Sequence, residues 1–254
     1  MRNKLGLTVR KLMAEKLIAH RGYQRHFPEN SPLAIEKAIA YGAKFIEIDV
    51  QFSADGIPLL YHDDHLKRIS GKSGNLKQYR FADLQTFSAG EPKRFGHQFS
   101  QVKISALAAL VDILQRNPDV QMLIELKEEA VRDYGTETCL ARIHASLLPV
   151  IQQCILISFD IDALRKARAA GFSRIGAVIR QWKDRHEIAR ELCAEMIICN
   201  HQRIPAKDSL SMENCAVAVY EIDDIALAQS LLARGSGFIE TFAIGELLGT
   251  YDNH

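Results

Sequence analysis

The chain has 254 residues, 47% hydrophobic and 25% charged, with a formal net charge of +1 at pH 7. That length suits one α/β barrel domain over 1–254, and a charge this near zero gives no general electrostatic reason to bind nucleic acid. The five cysteines (Cys139, Cys154, Cys193, Cys199 and Cys215) are odd in number and lack C-x-x-C spacing, so they read as core-filling thiols of a reduced, cytoplasmic compartment rather than as disulfides or metal ligands.

Residues 1–15 are basic, and Arg10 and Lys11 interrupt their apolar character. No secretory signal or membrane span is expected there. The default is a short helix or arm, with weak membrane-surface contact through Leu5, Leu7, Leu12 and Met13 as the alternative. Leu17–Ile18–Ala19 is a short strand that opens into His20–Arg21–Gly22. Ser31 caps a helix that has Pro32 at its first position and ends at Gly42. Lys44–Val50 is the next strand, which completes a βαβ unit. It carries Glu47 and Asp49, two apart and therefore on one face. Only Ser53–Ala54–Asp55–Gly56 separates Phe52 from Ile57. A parallel crossover needs about a dozen residues, so Ile57–Tyr61 must turn back antiparallel. The return brings His62, of His62–Asp63–Asp64–His65, beside Glu47 and Asp49.

Residues 66–103 are basic and turn-rich, with one helical turn at Phe81–Leu84. Together with the hairpin they form an insertion over 51–103, of the kind that serves as a lid or substrate-binding element. Helical patterning resumes over Ser105–Leu114. Strands then read at Met122–Leu126, Ile155–Ser158, Ile175–Ile179, Met196–Cys199, Ala216–Tyr220 and Gly237–Glu240. Helices read at 136–149, Ile161–Ala169, Asp184–Cys193, around Lys207–Met212, at Asp223–Ala233 and at Ile244–Leu248. Without the hairpin the parallel strands number eight, which fits a (β/α)8 TIM barrel with a small insertion after the second strand. An open doubly wound sheet is the alternative, but the first turn lacks G-x-G-x-x-G.

Catalytic groups of such barrels sit at the carboxyl ends of the strands. Here those ends supply His20 and Arg21, Glu47 and Asp49, and Glu125 and Lys127, and the hairpin adds His62. Converging carboxylates repel one another unless a cation intervenes, and an all-oxygen set suits Mg²⁺ or Ca²⁺. Arg21 and Lys127 suit anionic oxygens. Acids, cations and two imidazoles together point to phosphoester hydrolysis. Plainer readings stand beside this one: rim salt bridges for Glu47 and Asp49, a Glu125–Lys127 pair, a core histidine at His20 and a loop histidine at His65. His97, His186 and His201 have no comparable setting.

His20-Arg21-Gly22, Glu29-Asn30, Glu47-Ile48-Asp49, Asp55-Gly56, His62-Asp63 and Glu125-Leu126-Lys127 resemble the glycerophosphodiester phosphodiesterase family. Leu66, Arg68, Gly71–Gly74 and Ile157–Ser158–Phe159 extend the resemblance, which covers 17–245. It implies a (β/α)8 barrel and the metal-dependent hydrolysis of a small-molecule glycerophosphodiester to glycerol 3-phosphate and an alcohol. It further implies one divalent cation, Mg²⁺ or Ca²⁺, on Glu47, Asp49 and Glu125. His20 and His62 would transfer protons, and Arg21 and Lys127 would hold the phosphate. A neighbouring glycerol hydroxyl or water could be the nucleophile.

The chain departs from the family pattern at three places. Ile104–Ala109 lacks an acid expected after the insertion. Tyr220-Glu221-Ile222-Asp223 stands where a tryptophan-threonine-valine-asparagine strand end is typical, and Tyr220 is either a pocket residue or core. Gly237-Phe238-Ile239-Glu240-Thr241 replaces a glycine-isoleucine-x-threonine-aspartate motif. These changes bear on substrate identity. They leave two competing readings: a lysophospholipase D-like enzyme, and a catalytically silent barrel that binds a phosphoryl ligand or a protein.

Overall fold

The computed structural model describes residues 15–249; the arm expected at 1–15 lies almost wholly outside them. Nine strands form one sheet: β1 (Leu17–His20), β2 (Phe45–Phe52), β3 (Pro58–Leu60), β4 (Gln121–Leu126), β5 (Cys154–Ser158), β6 (Ile175–Ile179), β7 (Met196–Asn200), β8 (Ala216–Tyr220) and β9 (Phe238–Thr241). Eight of them run parallel in the order β1-β9-β8-β7-β6-β5-β4-β2, and β1 also pairs with β2, so the barrel closes. The ninth, β3, pairs antiparallel with β2, Val50 opposite Leu60, as the short 53–56 connection requires.

Period-two alternation divides the strand residues between two environments. Ile46, Ile48, Val50, Met122, Ile124, Leu156, Ala177, Ile197 and Val219 join the larger core, where strands meet the surrounding helices. The alternate residues Ile18, Leu123, Ile155, Ile157, Val178, Met196, Ile198 and Ala218 form a separate cluster with Phe45, Phe159, Tyr220 and Phe238, which fills the barrel. Continued toward the carboxyl ends, the inward stripe becomes His20 on β1, Glu47 and Asp49 on β2, Glu125 on β4 and Glu240 on β9. The barrel is thus apolar below and ionisable above, which places the functional groups at one rim.

The insertion has its own order. Leu59 and Tyr61 pack with Leu66, Ile69, Leu76, Leu84, Ala89 and Ile104 in a third apolar cluster. Short helices form at Lys67–Ser70, Phe81–Leu84 and Pro92–Phe95. Four-residue helices expose no repeating apolar face, so only the one at Phe81–Leu84 was legible in the sequence.

Two other expectations change. No helix forms at Lys207–Met212: Leu210 N–H donates to the Arg234 carbonyl at 2.9 Å, and Arg234 Nη2 donates to the Pro205 and Asp208 carbonyls. These partners from outside the segment satisfy its backbone and replace the helical i to i−4 pattern. Conversely, a helix not anticipated from sequence runs over Glu128–Tyr134, directly after β4. Among the described residues, no helix is long and apolar enough to cross a membrane.

The loop after β1 turns at Gly22, whose φ is +81°; a Cβ there would lie 2.7 Å from the Ala34 carbonyl carbon and 2.9 Å from its Cβ. Both the backbone and the space require glycine. Gly22→Ala is expected to destabilise the fold by about 2 kcal/mol or more, measured by urea unfolding; an unchanged midpoint would contradict this packing.

Candidate active site

Asp49 is the best-held group at the rim. Its Oδ2 accepts from Asn30 Nδ2 at 2.8 Å and lies 3.0 Å from Arg21 Nε, while its Oδ1 accepts from Lys127 Nζ at 3.2 Å. Its backbone N–H donates to Asn30 Oδ1 at 2.9 Å, so one asparagine grips both the main chain and the side chain of β2. Local structure makes this grip possible. Asn30 has φ +50°, a left-handed conformation that asparagine tolerates, and the next residue, Ser31, caps the helix Pro32–Ala40. Arg21 also has positive φ, +56°, and its N–H donates to Glu47 Oε2 at 3.0 Å. The strained turn therefore places both ends of Arg21 on acids of β2.

Electrostatics separates the carboxylates. Burial opposes the charge on Asp49, but Lys127, Arg21 and His62 outweigh it, and the Asn30 hydrogen bond adds to them; its pKa falls well below the ordinary range. Glu47 has less support. Burial, then repulsion from Asp49, Glu240 and Glu125, pushes its pKa well up despite Arg21. Burial also raises Glu125, with Lys127 (Nζ to Oε1, 2.8 Å) opposing. Burial and then Glu125 raise Glu240 strongly. Arg21 and Lys127 are held charged: burial disfavours their cations, but Asp49 with Glu29 and Glu47, and Asp49 with Glu125, respectively, outweigh it.

The sequence-predicted residues converge. His20, Arg21, His62, Glu125, Lys127 and Tyr220 line one cavity of about 200 Å³, together with Glu221, Glu240 and an apolar wall of Ile157, Phe159, Val178 and Ile198. Glu47 and Asp49 are buried, and a ligand oxygen of each lies within 4.8 Å of the others in a trio with Glu125. Glu47 Oε1 is buried without a hydrogen-bond partner. An orphaned carboxylate oxygen within an all-oxygen trio fits a hard divalent cation, because a cation would satisfy that oxygen and relieve the mutual repulsion. His20 stacks on Phe242, with ring centroids 4.6 Å apart at 11°. His62 Nδ1 is 2.7 Å from Asp63 Oδ1. Tyr220, its pKa pushed up to about 12 chiefly by burial, presents a neutral hydroxyl. His65 is exposed and bonded to Asp64, outside the cavity.

No residue of 66–103 lines this cavity. This segment reaches the site's residues through Arg68. That guanidinium donates to both Glu29 oxygens, at 2.8 and 2.7 Å, and to both Asp63 oxygens, at 2.8 and 2.7 Å. Glu29 in turn accepts from Arg21 Nη1 at 3.0 Å, so Arg68 links the histidine-bearing hairpin to the first loop. Sequence reasoning assigned no site role to Asn30, Glu29, Arg68, Phe242 or Glu240. Glu240 carried a usable signal, an acid in an apolar strand, the same signal that marked Glu47.

Fold and site together define a (β/α)8 barrel with an acid, imidazole and cation cluster at its carboxyl rim. The model of the glycerophosphoryl diester phosphodiesterase family matches residues 20–224, and the chain belongs to that family. It is 33% identical to the uncharacterized protein YqiK of Bacillus subtilis (strain 168) over 151 residues, 59% of this chain and 60% of that one. It is 33% identical to a glycerophosphodiester phosphodiesterase of Bacillus altitudinis over 122 residues, 48% of this chain and 49% of the relative. With glycerophosphodiester phosphodiesterase 1 of Bos taurus the identity is 29% over 171 residues, 66% of this chain and 50% of the relative. The chain thus spans from about half to three-fifths of the length of these curated relatives. A phosphodiesterase of Oleispira antarctica, solved in complex with the product sn-glycerol-3-phosphate, shares the fold with a TM-score of 0.79 at 24% identity, covering 92% of this chain and 96% of that one.

The Arg68 clamp has a pH signature. Burial would raise the Glu29 pKa, but the Arg68 hydrogen bonds and the charges of Arg21 and Arg68 lower it below its ordinary 4.5. A depressed folded pKa stabilises above the unfolded value and is lost as pH falls through the folded one. Arg68→Met is therefore expected to cost about 1–2 kcal/mol at pH 7. The gap from wild type in thermal unfolding should narrow progressively below pH 4.5. A gap that is constant from neutral pH into that acid range would contradict the clamp.

Proposed function

We propose that the chain hydrolyses a small glycerophosphodiester to glycerol 3-phosphate and an alcohol. The observation that carries this reading is the Glu47–Asp49–Glu125 trio, which reaches through Glu125 a cavity lined by Arg21, Lys127 and two imidazoles. The product named for the Oleispira antarctica phosphodiesterase supports it as well.

In this reading Glu47, Asp49 and Glu125 hold one divalent cation, Mg²⁺ or Ca²⁺, since all the donors are oxygens. When bound, the ion supplies Lewis-acid polarisation of the phosphoryl group. The chain's own groups do the rest. Arg21 and Lys127, fixed by Asp49 and its neighbours, lie at the cavity where charge develops on the phosphoryl oxygens, and need no reorganisation as it does. His20 takes the proton of the attacking hydroxyl. His62 has Nδ1 engaged by Asp63, which leaves Nε2 to protonate the departing alkoxide. Its placement on a hairpin that returns beside β2 keeps it off the strand that bears the acids. The apolar wall from Ile157 to Ile198 and the Tyr220 hydroxyl face the organic part of the substrate, in a cavity whose volume suits a headgroup rather than a long acyl chain.

Assays with glycerophosphocholine, glycerophosphoethanolamine, glycerophosphoglycerol and a lysophospholipid test this. Turnover of at least one of the three glycerophosphodiesters is expected. His62→Ala is expected to lower kcat about 10²–10⁴-fold, and Glu47→Gln and Asp49→Asn by at least about 10²-fold. Wild-type rates in a folded His20→Ala or Asp49→Asn variant would overturn the assignment. Turnover of the lysophospholipid alone would move the substrate class.

A further inference from the structure

Glu240 has no part in the reading above, yet it is 4% exposed and stands in the same cavity. Its Oε1 is 3.6 Å from His20 Nε2, and Glu47 Oε2 is also 3.6 Å from that nitrogen. Both separations exceed hydrogen-bond reach. Two ligands on one tetrahedral cation with bonds near 2.1 Å lie about 3.4 Å apart. Ligand atoms of His20, Glu47 and Glu240 all fall within 4.8 Å of one another. A further observation points to a ligand: Glu47, 1% exposed, has Oε1 without a hydrogen-bond partner. Phe242, stacked on the imidazole, holds the ring in this orientation.

We propose that His20, Glu47 and Glu240 form a second divalent-cation position that shares Glu47 with the oxygen-only trio. An imidazole donor selects a transition ion such as Zn²⁺, Mn²⁺ or Co²⁺ over Mg²⁺ or Ca²⁺. An ion held by Glu47, Asp49 and Glu125 would leave Glu240 unligated, since Glu240 groups with His20 and Glu47 and not with that trio. Nε2 cannot bind a cation and accept a proton at once, so occupancy would close the proton-transfer route through His20. That consequence rests on the proposed function; the binding does not.

Calorimetric titration of Zn²⁺ into the metal-free full chain is expected to give two ions per chain for wild type and one for Glu240→Gln. Glu125→Gln is the reciprocal variant, which is expected to retain the histidine-containing position. X-ray absorption at the zinc edge should show an imidazole nitrogen ligand in wild type and none in His20→Ala. Both acid variants remove charge from a crowded buried set with little change of shape, and circular dichroism checks that they fold. A single ion on wild type, or two ions bound by folded Glu240→Gln with unchanged affinity, would overturn the inference. If the second position exists, Zn²⁺ should inhibit Mg²⁺-supported turnover in wild type. Absence of turnover with every substrate would defeat the proposed function and leave the stoichiometry to decide this inference.

Discussion

The rim of the barrel depends on keeping Asp49 ionised where water cannot reach it. A buried carboxylate without partners takes up a proton rather than remain charged. Asp49 escapes this because Arg21 and Lys127 approach it from just beyond the ends of β1 and β4 and Asn30 hydrogen-bonds both its side chain and its main chain. Removing one partner leaves the buried charge only partly compensated, a change that typically costs several kcal/mol. Glu47, two residues away on the same face, lacks that support, and its free oxygen and raised pKa follow directly. The contrast between two acids on one strand leaves a buried carboxylate oxygen of Glu47 without a hydrogen-bond partner beside a fully held Asp49.

The same constraint explains the first loop. Arg21 and Asn30 both adopt left-handed backbone, which costs about 1–2 kcal/mol per residue for most side chains. Each conformation aims a side chain at β2, and Asn30 N–H closes the loop on the Arg21 carbonyl at 3.1 Å. Arg68 then braces the far side of the loop through Glu29, so residues 66–103 contribute rigidity rather than a wall of the cavity. Strain near the chemistry is thereby offset by ion pairs one step removed from it.

Much of this was legible in the sequence because it rests on short-range rules. The four-residue connection after Phe52 left β3 only an antiparallel course, which brought His62 to Glu47 and Asp49. The alternation of apolar runs counted out eight parallel strands. The inward parity of Glu47 and Asp49 followed from their spacing. What was not legible depends on distant partners. The insertion packs around Leu59 and Tyr61 without a repeating period, and Lys207–Met212 is held by the Arg234 backbone and side chain, which no local pattern announces. Arg68 matched the family pattern, but no role could be read for it until the fold placed Glu29 and Asp63 on either side of it. Glu240 looked like a departure in a closing motif, and its meaning came only from the strand order that sets β9 beside β1.

In the proposed function, the Glu47–Asp49–Glu125 trio makes the cavity a cation-dependent phosphodiesterase site. Phosphorus NMR of the metal-free protein with a glycerophosphodiester tests it most directly. The phosphodiester resonance should persist until Mg²⁺ or Ca²⁺ is added, and then give way to the monoester resonance of glycerol 3-phosphate. Chelation should stop the conversion and re-addition of the ion should restore it. A phosphodiester signal that stays unchanged with either ion, in protein shown to be folded, would contradict the account, as would conversion at full rate in the presence of chelator.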